Sequence, residues 1–246
     1  MEKINKLNIN DSLKKYLSSF CGKIIDYFED KLICISITGS AVTNDFSDKF
    51  SDINLYCILK TLDIKDLKEI ALWVKKSWQY KRISPRFISL RNLNESIKYY
   101  PIDFWSIKLN HVTVYGDDIF TKIQIDNKDL VWQLNHEITG LRMRIKQQYW
   151  ICLNNVKLAR KKLLINYNNC IYLIKVILTL KKQEATNDQE NMIKKFYDFF
   201  KINNNFMLNM LKVKQNKINL KIKDIPQYFE DLFDLIRIID DISKKF

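Results

Sequence analysis

Two short runs, "LICISIT" at 32–38 and "DINLYCIL" at 52–59, constrain the fold of this chain more than any other feature. Both are apolar and β-branched, and both are too short for a packed helix. They read as strands buried in a sheet. The first ends in Gly39-Ser40 and the second opens on Asp52-Ile53-Asn54. Period-two alternation sends residues 52 and 54 to one face, with Ile53 and Leu55 on the other. A glycine turn and two oxygen-bearing side chains are thereby directed toward one cleft.

The flanking sequence alternates between helical and extended patterns. Residues 12–30 place Leu13, Tyr16, Leu17, Phe20, Ile24, Ile25 and Phe28 at helical spacing, with Asp11 or Ser12 as the expected cap. A second helix is expected over 63–80, with Leu67, Ile70, Ala71 and Val74 on one side. "PRFISLRNL" (85–93) alternates like a strand, and "PIDFWSIKL" (101–109) reads as extended or irregular. "HVTVYGDDIF" (111–120) reads as a short strand, a glycine turn and the start of a helix. From Leu130 the pattern changes to long helices, one of them running from about Asn187 to Phe200 after the polar break "KKQEATNDQEN". The expected class is α+β: a small mixed sheet flanked by helices over 1–125, then an all-α helical bundle over 126–246.

Composition narrows the setting. Hydrophobic residues make up 47% of the chain, ample for a core. No apolar run approaches the roughly 20 residues that cross a bilayer. The opening "MEKINKLNINDSLKK" has no apolar signal core. The five cysteines (Cys21, Cys34, Cys57, Cys152, Cys170) are odd in number, widely spaced and mostly set in apolar runs. Buried free thiols in a reducing cytoplasm, away from membranes, are the expectation. Two histidines and no Cys/His cluster argue against structural zinc. The formal charge is +13, and it is uneven: residues 1–125 carry 19 Lys+Arg against 15 Asp+Glu, the remainder 22 against 13. Such a surface attracts phosphates or nucleic acid. The plainer account is biased composition, with lysines on solvated helix faces.

The 39–54 segment has the parts of a phosphate site. Gly39 has no side chain to obstruct an approaching phosphate, and Ser40 offers a hydroxyl. A helix starting after it would add free amide donors. Asp52 and Asn54 on one face are oxygen ligands for a hard cation that bridges triphosphate oxygens.

Gly39-Ser40, a loop, then Ser51-Asp52-Ile53-Asn54-Leu55 resembles the signature of the polymerase-β-like nucleotidyltransferases, which is Gly-Ser, a loop, then Asp-x-Asp or Asp-x-Glu. The resemblance spans roughly residues 31–120, with the diagnostic motif inside 38–59. Further on, "YYPIDFWSIKLNHVTVYGDDIF" and "NHEITGLRMRIKQQYW" look like the bacterial branch that carries a helical tail, similar to aminoglycoside nucleotidyltransferases. The resemblance implies Mg²⁺-dependent transfer of a nucleoside monophosphate from an NTP such as ATP to a hydroxyl acceptor. Gly39, Ser40 and Ser51 would handle phosphate, and Asp52 and Asn54 would hold metal. It also implies a helical tail that helps form the acceptor pocket.

One departure weakens the case for catalysis. Asn54 stands where the family has a second carboxylate. Losing one charge about 4 Å from a divalent ion forfeits several kcal/mol at an effective dielectric of ~20. A third carboxylate, usually from a later strand, would act as general base and ligand. "PRFISL" offers Arg86 and no acid, which leaves Asp103, with a turn role as its plainer reading. Glu95, Asp117 and Asp118 read as turn or helix-start residues, and Asp45 and Asp48 as solvated loop residues. Arg142, Arg144, His136 and Glu137 read as surface or structural, and the five tryptophans as core. The alternative is therefore a non-catalytic nucleotide- or nucleic-acid-binding relative. A third reading is a protein-interaction partner in a two-gene system that uses its amphipathic helices as a dimer face, and a homodimer is also among the expected partners.

Overall fold

The computed structural model describes residues 2–43, 46, 51–76, 82–183, 186 and 188–246. Asp45, Asp48, Trp78, Asn187 and the side chain of Val74 lie outside the described residues. The chain divides into two compact units, Met1–Asp126 and Asn127–Phe246.

The first unit is built on a four-stranded sheet in the order β3-β2-β1-β4, with β1 Leu32–Thr38, β2 Ile53–Leu59, β3 Ile83–Ser89 and β4 His111–Gly116. β1 pairs antiparallel with both β2 and β4, whereas β3 runs parallel to β2. β1 and β2 share the burial pattern of strands covered on both faces. Against one face, α1 (Glu2–Asn5) and α2 (Asp11–Phe28) pack Ile4, Leu17, Phe20 and Ile24 onto Ile35, Ile37, Leu55 and Cys57. Apolar residues spaced three and four apart make α2 amphipathic. Its cap is Asn10, one residue before the expected pair: Asn10 Oδ1 accepts from the Leu13 amide at 2.9 Å. α3 (Ile64–Lys76) is the crossover that a parallel β2–β3 pair requires.

The other face carries Cys34, Tyr56 and Ile58 and is covered by Leu93, Phe104, Ile107, Phe120 and Ile123. Here the structure departs from the sequence expectation. Residues read as a strand tail belong to α4 (Leu90–Tyr99), with Ser89 Oγ accepting from the Asn92 amide at 3.2 Å. "PIDFWSIKL" forms α5 (Pro101–Leu109). Pro101 at the first helical position is pre-organised for a helix start, and burial of Ile102, Phe104, Trp105 and Ile107 leaves the segment no polar stripe to reveal its period. No helix follows Gly116 until Asn127: the expected helix start is a turn in which the Thr121 amide donates to Asp118 Oδ1 at 3.3 Å.

The second unit comprises α6 (Asn127–Cys152), α7 (Val156–Leu180), α8 (Gln189–Phe200), α9 (Phe206–Lys214) and α10 (Ile225–Ser243). α6 and α10 are fastened by Arg142 to Asp240 at 2.9 Å and by Ser243 Oγ donating to Asn135 Oδ1 at 2.8 Å. Asp188 caps α8. α7 corrects the estimate of apolar run length. At 25 residues with mean hydropathy 1.4 in its most apolar window, it is long and apolar enough to span a bilayer. Half of that window is buried inside the protein, as expected of a core helix, and a single such helix is weak evidence of a span.

Candidate functional site

The register of the sheet assembles the site. Thr38, the last residue of β1, lies between Asn54 of β2 and His111 of β4. On the far side of Asn54, β3 contributes Ser84, and one pleat deeper Arg86 stands beside Tyr56. By alternation, Asn54, Thr38, His111 and Ser84 form a polar row at one end of the face whose floor is Tyr56, Ile58 and Cys34.

At this row the chain leaves β1 through Gly39, whose φ of +73° lies in the left-handed region. Glycine is needed here on two counts. A side chain would strain that backbone, and a Cβ would stand 2.8 Å from Asn54 Nδ2. The expected helix after Ser40 is a single 3-10 turn, Gly39–Val42, closed by the Thr43 amide donating to Ser40 O at 3.2 Å. Gly39 and Asn54 therefore lie side by side. Behind the turn, beside α1, Lys3, Lys6, Asn8, Thr43 and apolar neighbours line a half-open pocket of about 430 Å³.

Asp52 lies just ahead of β2, with its side chain 60% exposed. Its neighbour is a cation supplied by the protein itself: Arg82 Nε approaches Asp52 Oδ1 to 3.9 Å, and Arg82 Nη2 donates to the carbonyl of Ser51. Arg86 donates to the Tyr56 hydroxyl at 3.1 Å, with its guanidinium 5.5 Å from the ring centroid. Arg82, the residue before β3, and Arg86 within it thus set two guanidinium groups beside the segment that carries Asp52 and Asn54. Asp103 is exposed on the first turn of α5, where the helix dipole favours a carboxylate, while Phe104 next to it packs toward Tyr56. Among the described residues no three His, Cys, Asp or Glu side chains cluster as a metal site.

Sequence reading passed over His111. Its ring is buried, with Nδ1 2.8 Å from the Ile107 carbonyl and Nε2 2.8 Å from Asp118 Oδ1. Burial opposes ionisation of Asp118, but hydrogen bonds from His111 and the Thr121 amide outweigh it and hold the carboxyl below its usual range. Beneath the row, Ser36 Oγ and Thr113 Oγ1 share a hydrogen bond of 2.8 Å. Glu95 pairs with Arg91 on α4, and His136 stacks on Trp132 at 5.6 Å. Trp105 is core, whereas Trp132 and Trp150 are exposed.

No protein-family model matches this sequence, and no curated protein matches it. Among solved structures, spectinomycin adenyltransferase AAD(9) from Enterococcus faecialis, crystallised with ATP and spectinomycin, matches with a TM-score of 0.56. The match covers 92% of this chain and 97% of that one, at 13% sequence identity. The chain shares the fold of that adenyltransferase. At this identity the likeness is one of architecture: a mixed sheet flanked by helices with a helical C-terminal region.

Proposed function

We propose that the chain binds a nucleoside triphosphate at the Gly39–Ser40 turn and the head of β2, and transfers the nucleoside monophosphate to a hydroxyl acceptor. The observation that carries this reading is the contact between a left-handed Gly39 and Asn54, with Asp52 two residues before it. The AAD(9) neighbour, an adenyltransferase crystallised with ATP and spectinomycin, supports ATP as the first donor to try and a small molecule as the first acceptor.

In this reading the bare Gly39 backbone admits the phosphates, the Ser40 hydroxyl donates to them, and Ser51 orients Asp52. Asp103 takes the proton from the acceptor hydroxyl as its oxygen bonds to the α-phosphorus and the bond to pyrophosphate breaks. The donor set fits one Mg²⁺. This ion commonly uses one or two protein oxygens and completes its shell with phosphate and water, and Asp52 and the Asn54 amide oxygen are such a pair. Bound there, the ion would offset charge on the departing pyrophosphate. The described residues do not provide the acid set of a two-ion site.

A specific observation favours a second reading, a non-catalytic nucleotide-binding protein. Arg82 already stands 3.9 Å from Asp52, and β3, the strand beside the site, carries Arg86 and no acid. Pyrophosphate release from ATP and the other NTPs, with Mg²⁺ and a panel of hydroxyl acceptors, separates the two. Transfer predicts acceptor-dependent release that Asp52→Ala abolishes and Asn54→Asp raises several-fold. Saturable binding without turnover, in wild type and in Asn54→Asp alike, would leave only the second reading.

A further inference from the structure

α6 buries one apolar face inside its unit, and among the described residues its reverse face exposes large apolar side chains. Leu130, Leu134, Ile138, Leu141 and Ile145 are buried. On the reverse face Trp132, Met143 and Trp150 are 57%, 69% and 76% exposed. A helix with a single packed side would carry polar residues there.

The outward residues keep a strict spacing. Trp132, His136, Thr139, Met143, Lys146 and Trp150 follow one another at steps of four and three, the seam spacing of paired helices. The row is also symmetric about residue 141. Reversed against itself, it sets Trp132 opposite Trp150, His136 opposite Lys146 and Thr139 opposite Met143. Such self-complementarity is what a two-fold interface needs, since each contact is then made twice.

We propose that this face of α6 is an interface between two copies of the chain, packed antiparallel across a two-fold axis at residue 141. Trp132, Met143 and Trp150 offer on the order of 500 Å² of surface per copy. The pair would bury about 1,000 Å², the threshold for a specific interface. The seam contains one charged side chain, Lys146, set between Met143 and Trp150, and the exposed Arg144 adds a cation at its rim. Rim repulsion is screened by salt, so the dimer holds or tightens as ionic strength rises.

Sedimentation of the full chain over a range of concentrations tests this. The expected result is a monomer–dimer equilibrium that persists at 0.5 M salt and shifts at least tenfold toward monomer in Met143→Glu and in Trp150→Gln, with unchanged melting temperature. Register is read separately by mixing Thr139→Cys with Met143→Cys protein. All five native cysteines are buried, and the mixture should oxidise to a cross-linked pair more readily than either variant alone. A monomer at every concentration, a dimer indifferent to both substitutions, or no preference for the mixed cross-link overturns the proposal. So does salt-labile retention of single-stranded nucleic acid that the same substitutions remove without any change in mass, because Trp132 and Trp150 would then be base-stacking platforms.

Discussion

Gly39 and Asn54 show how far single residues could be read from the sequence. Their meeting follows from two local facts, a glycine ending one strand and an oxygen ligand near the head of the next, so both residues were legible. Arg82 and His111 were not. Arg82 reaches Asp52 only because β3 lies parallel to β2 in a register that no local pattern encodes. His111 reaches Asp118 across a turn whose apolar flanks mimic a helix start. The His111–Asp118 pair carries a pH consequence. The Asp118 carboxyl is held below its usual range, so its stabilising contribution is present above the unfolded value of about 3.9 and is lost as pH falls through the folded value. Asp118→Asn should lower the melting temperature at pH 6–7. It should also flatten the fall in stability below pH 4, as followed by thermal melts across pH 2–7. Parallel curves for the two proteins would mean that the carboxylate is not held by this pair.

At the scale of elements, strands were easier to recognise than short helices. β1 and β2 are buried on both faces, so their sequences are almost wholly apolar and could be little else. α4 and α5 are each ten residues or fewer and sit against one face of a sheet. Their boundaries depend on Ser89 and Pro101 as helix-start signals rather than on periodicity. β4 ends at Gly116 for a reason that is visible only in three dimensions. Its φ is +69°, and a Cβ there would lie 1.9 Å from the Ile33 carbonyl oxygen. Gly116→Ala should therefore cost at least about 2 kcal/mol by urea titration, since neither the backbone conformation nor the neighbouring strand can give way. Gly22, in mid-α2 with nothing within 4 Å of an added Cβ, is the matched control, and its alanine variant should gain roughly 0.5–1 kcal/mol. Equal effects at the two sites would contradict the β1–β4 register.

For the molecule as a whole, the change of pattern near residue 130 made an α+β unit followed by a helical one legible, because two-residue and 3.6-residue periods demand different partners. α7 was misjudged because its charges crowd toward its N-terminal end, leaving a long apolar stretch that the sequence reading did not isolate. The fold match covers nearly the whole chain while the acidic signature is depleted, so architecture and chemistry must be tested apart. The claim common to both functional readings is that phosphate docks on the bare backbone at Gly39. Calorimetric titration of a non-hydrolysable ATP analogue into wild type, Gly39→Ala and Ser40→Ala measures this directly. Saturable one-to-one binding, weakened at least tenfold by Gly39→Ala and less by Ser40→Ala in proteins of unchanged secondary structure, is the predicted result. Undiminished affinity in Gly39→Ala, or no binding by wild type, would contradict it.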